Sequence, residues 1–245
     1  MRIALFTVLF AASMSTTIQL ARAEVVDLQL ILAADVSISV DNEEFRLQRE
    51  GYASAITDPR VLEAIQAGPH HAIAVSFIEW SGPKAQRVVA DWMVIDDGET
   101  ATVFANILRK APRSFADATA IGSAIDFAVQ HFAQSGFEGG RRVIDVSGDG
   151  DNNSGRPVEY SRDDAVKAKV TINGLTIVNE HPAPGFIGHV QPVGGIGEYY
   201  RTRVIGGPGS FVLSIDSFDS FAQAITKKLV AEIASSAGAN TVASR

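Results

Sequence analysis

The 245-residue sequence predicts an α/β fold: a mostly parallel central sheet with one antiparallel edge strand and helices on both faces. Three observations carry this expectation. The run VVDLQLILAA at 25–34 is β-rich and apolar after Asp27, the pattern of a strand buried on both faces. Strand-like runs then alternate with helical ones, which implies parallel strands joined by crossover helices. One pair breaks the alternation, because only the short SGPK turn separates the strand-like runs 71–80 and 86–95. Such a spacing forms an antiparallel hairpin, and a hairpin of this kind belongs at a sheet edge.

The remaining elements follow in order. After Asp41 a helix is expected with Phe45, Tyr52 and Ile56 on one side, and Glu44 three residues beyond Asp41 makes a capping box. A helical pattern covers 99–110, and another begins near Ile121, with Ile121, Ile125, Ala128 and Phe132 near a 3.6 period. RRVIDVSG (141–148) reads as a strand, 160–169 as a short helix, VTINGLTIV (170–178) as a strand and FVLSI (211–215) as a last short strand. The final helix, 218–234, places Phe218, Phe221, Ala222, Ile225, Leu229 and Ile233 on one face. The Pro- and Gly-rich stretch 179–197 has no periodicity and is expected as a long loop at the carboxyl edge of the sheet.

Composition narrows the function. Residues 1–23 have the form of a secretory signal peptide: Arg2, an apolar IALFTVLFAA core and Ala-Arg-Ala before the cleavage point. The exported protein, periplasmic or secreted, is then residues 24–245, read as one domain. Losing Arg2 and Arg22 takes the formal charge from −7 to −9, that is, −7 minus 2. An acidic chain without a Lys/Arg cluster is a poor ligand for nucleic acid or anionic lipid. No later segment approaches the ~20 apolar residues of a membrane span. The absence of Cys excludes disulfides, thiolate metal sites and cysteine nucleophiles.

Ligands of open α/β sheets bind beyond the carboxyl ends of the strands. Three stretches are expected there: Asp35-x-Ser37-x-Ser39, Thr119 before a helix, and Asp149 after the 141–148 strand. Residues spaced by two in an extended or tightly turned segment can point to a common side. All the donors are oxygens, the preference of Mg²⁺, Mn²⁺ or Ca²⁺ rather than zinc or copper. Two carboxylates balance one divalent charge, and the set leaves the roughly six-ligand shell of Mg²⁺ incomplete. Taken singly, each residue has a plainer role: Asp35 and Thr119 as helix caps, Ser37 and Ser39 in turns, Asp149 as a turn acid. Their joint order favours the ion.

In that order and separation the sequence resembles the von Willebrand factor A-like domains, through their metal-ion-dependent adhesion site. Asp35-Val-Ser37-Ile-Ser39 matches the family's D-x-S-x-S, Thr119 with Gly122 its lone Thr followed by Gly, and Asp149-Gly150 its Asp-Gly after an apolar strand. Within that family it is most similar to an exported bacterial branch of unknown function that shares VIDVSGDG and YYRTRVIGGPGSFV. The resemblance implies a Rossmann-like domain whose metal is held by Asp35, Ser37, Ser39, Thr119 and Asp149. It also implies a protein partner whose Asp or Glu completes the shell. Gly148 departs from the family, where many relatives place a Thr before the Asp-Gly.

Other readings are weaker. Asp149, Asp151 and Asn153 are spaced like the start of a calcium loop, but the sixth position is Ser154 and the twelfth Tyr160, where that loop needs Gly and Glu. Asp151 to Ser154 are instead expected to shape the rim. Asp145, inside a strand, needs a structural partner such as an Arg or backbone amides. The five His residues form no zinc motif, and Trp80 and Trp92 are expected to pack. The chain has no nucleophile elbow, phosphate loop or dinucleotide fingerprint, so it is not read as an enzyme. The alternatives are a Mg²⁺-assisted hydrolase, or a structural ion with partner contact through 179–197.

Overall fold

The computed structural model describes residues 24–178 and 192–239. The expected signal peptide, 1–23, and most of the expected long loop, 179–191, lie outside the described residues. The first strand region is split. β1 (Glu24–Val25) pairs in parallel with β5 (Phe137–Glu138), and β2 (Leu28–Asp35) enters the main sheet. The break falls at Asp27, whose carboxylate accepts from the His70 amide at 3.1 Å.

The six-stranded sheet has the order β4-β3-β2-β6-β7-β8. Its other members are β3 (Ile73–Trp80), β4 (Gln86–Ile95), β6 (Arg141–Gly148), β7 (Val170–Ile177) and β8 (Val212–Ile215). All neighbours are parallel except β3 and β4, which form the antiparallel edge that the SGPK turn predicts. β2, β3 and β7 are buried along their whole length.

Alternate residues of β2 feed two cores. Leu28, Leu30, Leu32 and Ala34 face α1 (Asn42–Ile56), α2 (Pro59–Gln66), α3 (Gly98–Lys110) and α7 (Phe221–Ala239). Ile31 and Ala33 face α4 (Ile121–Phe132) and α5 (Val158–Lys167) on the other side. The helices therefore cover both faces, as the double burial of β2 requires. The capping box of α1 is formed: Asp41 accepts from Glu44 N at 2.8 Å, and Glu44 accepts from Asp41 N at 2.7 Å.

Three elements depart from the sequence reading. α2 is a separate helix, started by the Asp58 cap and Pro59 in its first turn. The end of the expected loop is helical: α6 (Gly195–Tyr199) continues into a π-helical turn, Tyr200–Val204. Ile196, Tyr200 and Val204 sink from it into the second core. The last helix begins at Phe221, after a single 3₁₀ turn at Phe218–Ser220. Among the described residues, no helix is long and apolar enough to cross a membrane.

Candidate metal centre

The chain leaves β2 for β3 on one side and, after β4, crosses back to β6 on the other. The strand order thus reverses between β2 and β6. The loops after these two strands diverge, the position at which open α/β sheets bind their ligands. Asp35 is the last residue of β2, and Asp149 directly follows β6. The two carboxylates predicted from separate motifs therefore meet at the switch point.

The D-x-S-x-S turn folds back on itself there. The Ser37 amide donates to Asp35 Oδ1 at 2.7 Å. The Ser37 and Ser39 hydroxyls lie 3.0 Å apart, and Ser39 Oγ donates to Asp149 Oδ1 at 2.8 Å. One chain of contacts thus joins Asp35, Ser37, Ser39 and Asp149, and all four are buried. The backbone of the turn is pinned from outside. Arg113 donates to the carbonyls of Val36 and Ser37 at 2.9 and 2.8 Å, and Gln48 donates to the Asp35 carbonyl at 3.2 Å. Val36 N donates to Trp80 O and Ile38 N to Asp117 O. Between the two serines, the Ile38 side chain points to solvent and is 63% exposed.

Thr119, also buried, reaches the same rim through backbone contacts. Its amide donates to Asn153 Oδ1 at 3.0 Å, and Asn153 N donates to the Thr119 carbonyl at 3.0 Å. Asn152 Oδ1 accepts from Gly122 N at 2.9 Å, and Asn152 N donates to Tyr199 Oη at 3.2 Å. Gly122 has to be a glycine, since a Cβ would lie 2.4 Å from the Arg156 carbonyl. The segment after Asp149 is therefore a clamp that sets the Thr119 loop beside the β2 and β6 loops, and this is how it shapes the rim.

Electrostatics fit a cation. Burial first, then the charge of Asp149, push the Asp35 carboxyl up to about 8, against the hydrogen bonds of Ser37 and the charge of Arg113. Two buried carboxyl groups this close disfavour joint ionisation. A divalent cation between them removes that cost, because it favours the ionised form of both. Asp35 Oδ2 is buried and has no hydrogen-bond partner among the described residues, so acceptor capacity remains. With two carboxylates and three hydroxyls, the donor set that could hold the ion is all oxygen. The described residues contain no group of three or more His, Cys, Asp or Glu arranged for a metal; a centre built largely from hydroxyls is not expected to form one.

Asp145 receives a different partner from the expected Arg or amides. Its Oδ1 lies 2.6 Å from Lys228 Nζ of α7, which also contacts Glu232 at 2.5 Å, and all three are fully buried or nearly so. The periodic pattern of α7 counts apolar residues and gives no sign of an inward-facing Lys. His131 is buried, 2.9 Å from Ser76 Oγ, and stacks on Trp92 at 5.3 Å between ring centres. Both Trp residues pack, as expected. Asn152 and Asn153 lie in the 151–154 stretch expected at the rim, whereas Arg113 and Gln48 carry no sequence signal for the site. All four act on backbone groups of distant loops, and only Asn152 and Asn153 stood near a motif.

Comparison with solved structures places the fold. The chain is similar to proximal thread matrix protein 1 from the mussel byssus, in a form with a zinc-occupied MIDAS motif. The identity is 15% and the TM-score 0.61, over 86% of this chain and 48% of that one. It is similar to the pilus adhesin SpaC from Lactobacillus rhamnosus GG (12%, TM-score 0.61, 86% and 31%). It is also similar to a von Willebrand factor type A protein from Catenulispora acidiphila (15%, TM-score 0.56, 87% and 43%). The chain spans less than half of each of these three. No curated protein matches it in sequence. The architecture is that of the von Willebrand factor A fold, and the profile of the family described as "protein of unknown function (DUF1194)" matches residues 24–237. The chain belongs to that family.

Proposed function

We propose that the protein is an exported, metal-dependent protein-binding module. Asp35, Ser37, Ser39, Thr119 and Asp149 hold one Mg²⁺-type ion, and an Asp or Glu of a partner protein completes its shell. The observation that carries this reading is the buried chain Asp35–Ser37–Ser39–Asp149 at the switch point, with Asp35 Oδ2 left without a hydrogen-bond partner. The five donors leave the roughly six-ligand shell of a Mg²⁺-type ion incomplete, so a carboxylate from the partner can take the open position. Ile38 supports the same reading. An exposed Ile between two ligating serines offers an apolar contact beside the ion, where a partner would cover it. The likeness to an adhesin and a matrix protein agrees with a binding role. The signal-like residues 1–23 agree with export.

Titration calorimetry with Mg²⁺, Mn²⁺ and Ca²⁺ tests the site. The wild-type protein should take up one ion, and Asp35→Ala should take up none. Equal uptake by both removes Asp35 from the site. Affinity capture from the source cells with and without chelator tests the bridge: the partner should be lost in chelator. A partner retained in chelator and lost on deletion of 179–197 would instead assign contact to that loop.

A further inference from the structure

Tyr200 approaches the same centre from the π-helical turn, and neither a metal-ligand role nor a clamp role accounts for it. The residue is fully buried, yet its hydroxyl has no hydrogen-bond partner among the described residues. Folded proteins rarely bury a phenol in that state without a reason. Irregular π turns recur at functional sites. Asp35 Oδ2 is likewise a buried oxygen without a hydrogen-bond partner among the described residues. Both atoms border the space that Gly148 leaves: a Cβ at that position would lie 2.7 Å from Tyr200 Oη and 3.0 Å from Asp35 Oδ2. Gly174, on the neighbouring strand, admits the ring, since a Cβ there would lie 2.9 Å from Tyr200 Cδ1. Two glycines on adjacent strands thus make a slot that Tyr200 fills, and its hydroxyl stands where a side chain of residue 148 would begin.

We propose that Tyr200 is a positioning residue of the metal centre: once the cation is bound, its hydroxyl donates to Asp35 Oδ2, directly or through one water, and holds that carboxylate in place. The proposal rests on the reading of the Asp35 cluster as a metal site. A phenol is protonated at neutral pH, so the hydroxyl can serve as a donor. Asp35 Oδ1 already accepts from Ser37 N. Oδ2 is then the atom left to accept a charge-assisted bond, of the stronger kind.

The test compares wild type, Asp35→Ala and Tyr200→Phe by Mn²⁺ and Mg²⁺ calorimetry, and by thermal melting in chelator and in excess Mg²⁺. Wild type should bind, Asp35→Ala should not, and Tyr200→Phe should bind about tenfold more weakly, the size expected for loss of an outer-shell partner. In chelator, Tyr200→Phe should melt at or above the wild-type temperature, because it removes a hydroxyl that has no partner there. In Mg²⁺ it should melt below wild type. Full affinity in Tyr200→Phe, with none in Asp35→Ala, overturns the role of Tyr200 and leaves the metal site standing. An equal loss of stability in chelator and in Mg²⁺ makes Tyr200 a packing residue only, which also overturns it. Failure of the wild-type protein to bind either ion overturns both readings.

Discussion

Gly148 is the residue at which this chain departs from the pattern it resembles, and its surroundings give the departure a physical content. Any side chain there would meet Tyr200 Oη and Asp35 Oδ2 inside ordinary contact distance. Gly148→Ala should therefore weaken Mg²⁺ binding by about tenfold, as other disturbances of outer-shell groups do. Combined with Tyr200→Phe, the loss should be smaller than the sum of the two, because removing the hydroxyl relieves half of the clash. Calorimetry of the two single variants and the double variant measures this, and strict additivity would separate the two residues. The spacing of Asp35, Ser37 and Ser39 was readable because their relation is local. The relation of Gly148 to Tyr200 reaches across α5, β7 and α6, and no periodicity encodes it. The Tyr199-Tyr200 pair was visible as a shared segment without a role.

Whole elements were legible wherever start signals and periodicity coincided. Asp41 with Glu44 fixed the start of α1, and the SGPK turn placed β4 antiparallel at the edge. α2 was missed because its eight residues span little more than two turns, although Asp58 and Pro59 mark its start. α6 and the π turn were hidden by Gly and Pro around them. Burial of Ile196, Tyr200 and Val204 in the second core overrides that local preference. The Asn152–Asn153 clamp belongs to this scale, since it joins the loop after β6 to the loop before α4. Asn153→Ala leaves the Thr119 amide without its acceptor and should cost about 1–3 kcal/mol. Urea unfolding checks the stability. Metal affinity should fall without vanishing, because the Asp35–Ser37–Ser39–Asp149 chain does not pass through Asn153.

Across the whole molecule, the cluster of Asp145, Lys228 and Glu232 ties the centre of the sheet to α7. Burial first, then the charge of Glu232, raise the Asp145 carboxyl from 3.8 to about 7, against the opposing charge of Lys228. The folded protein thus holds this proton more tightly than the unfolded chain does. The stability it contributes is present at low pH and is lost as pH rises from about 4 through about 7. Asp145→Asn should flatten that slope and leave the protein at pH 8 at least as stable as wild type. Urea titrations of both proteins at pH 5 and pH 8 in chelator, where Asp35 contributes equally to the two slopes, check this. A slope equal to that of wild type would rule out Asp145 as its source. By itself the sequence determined the six strands of the main sheet, most helices, the mostly parallel pairing with its antiparallel edge, and the candidate oxygen ligands with their order along the chain. These follow from patterning over a few residues, where period and propensity act. Only the tertiary structure decided that β2 and β6 lie side by side at the reversal of strand order, so that Asp35 and Asp149 meet. It alone decided that Lys228 turns inward and that Tyr200 fills the space beside Gly148, because contacts between distant segments are set by packing and burial rather than by local spacing.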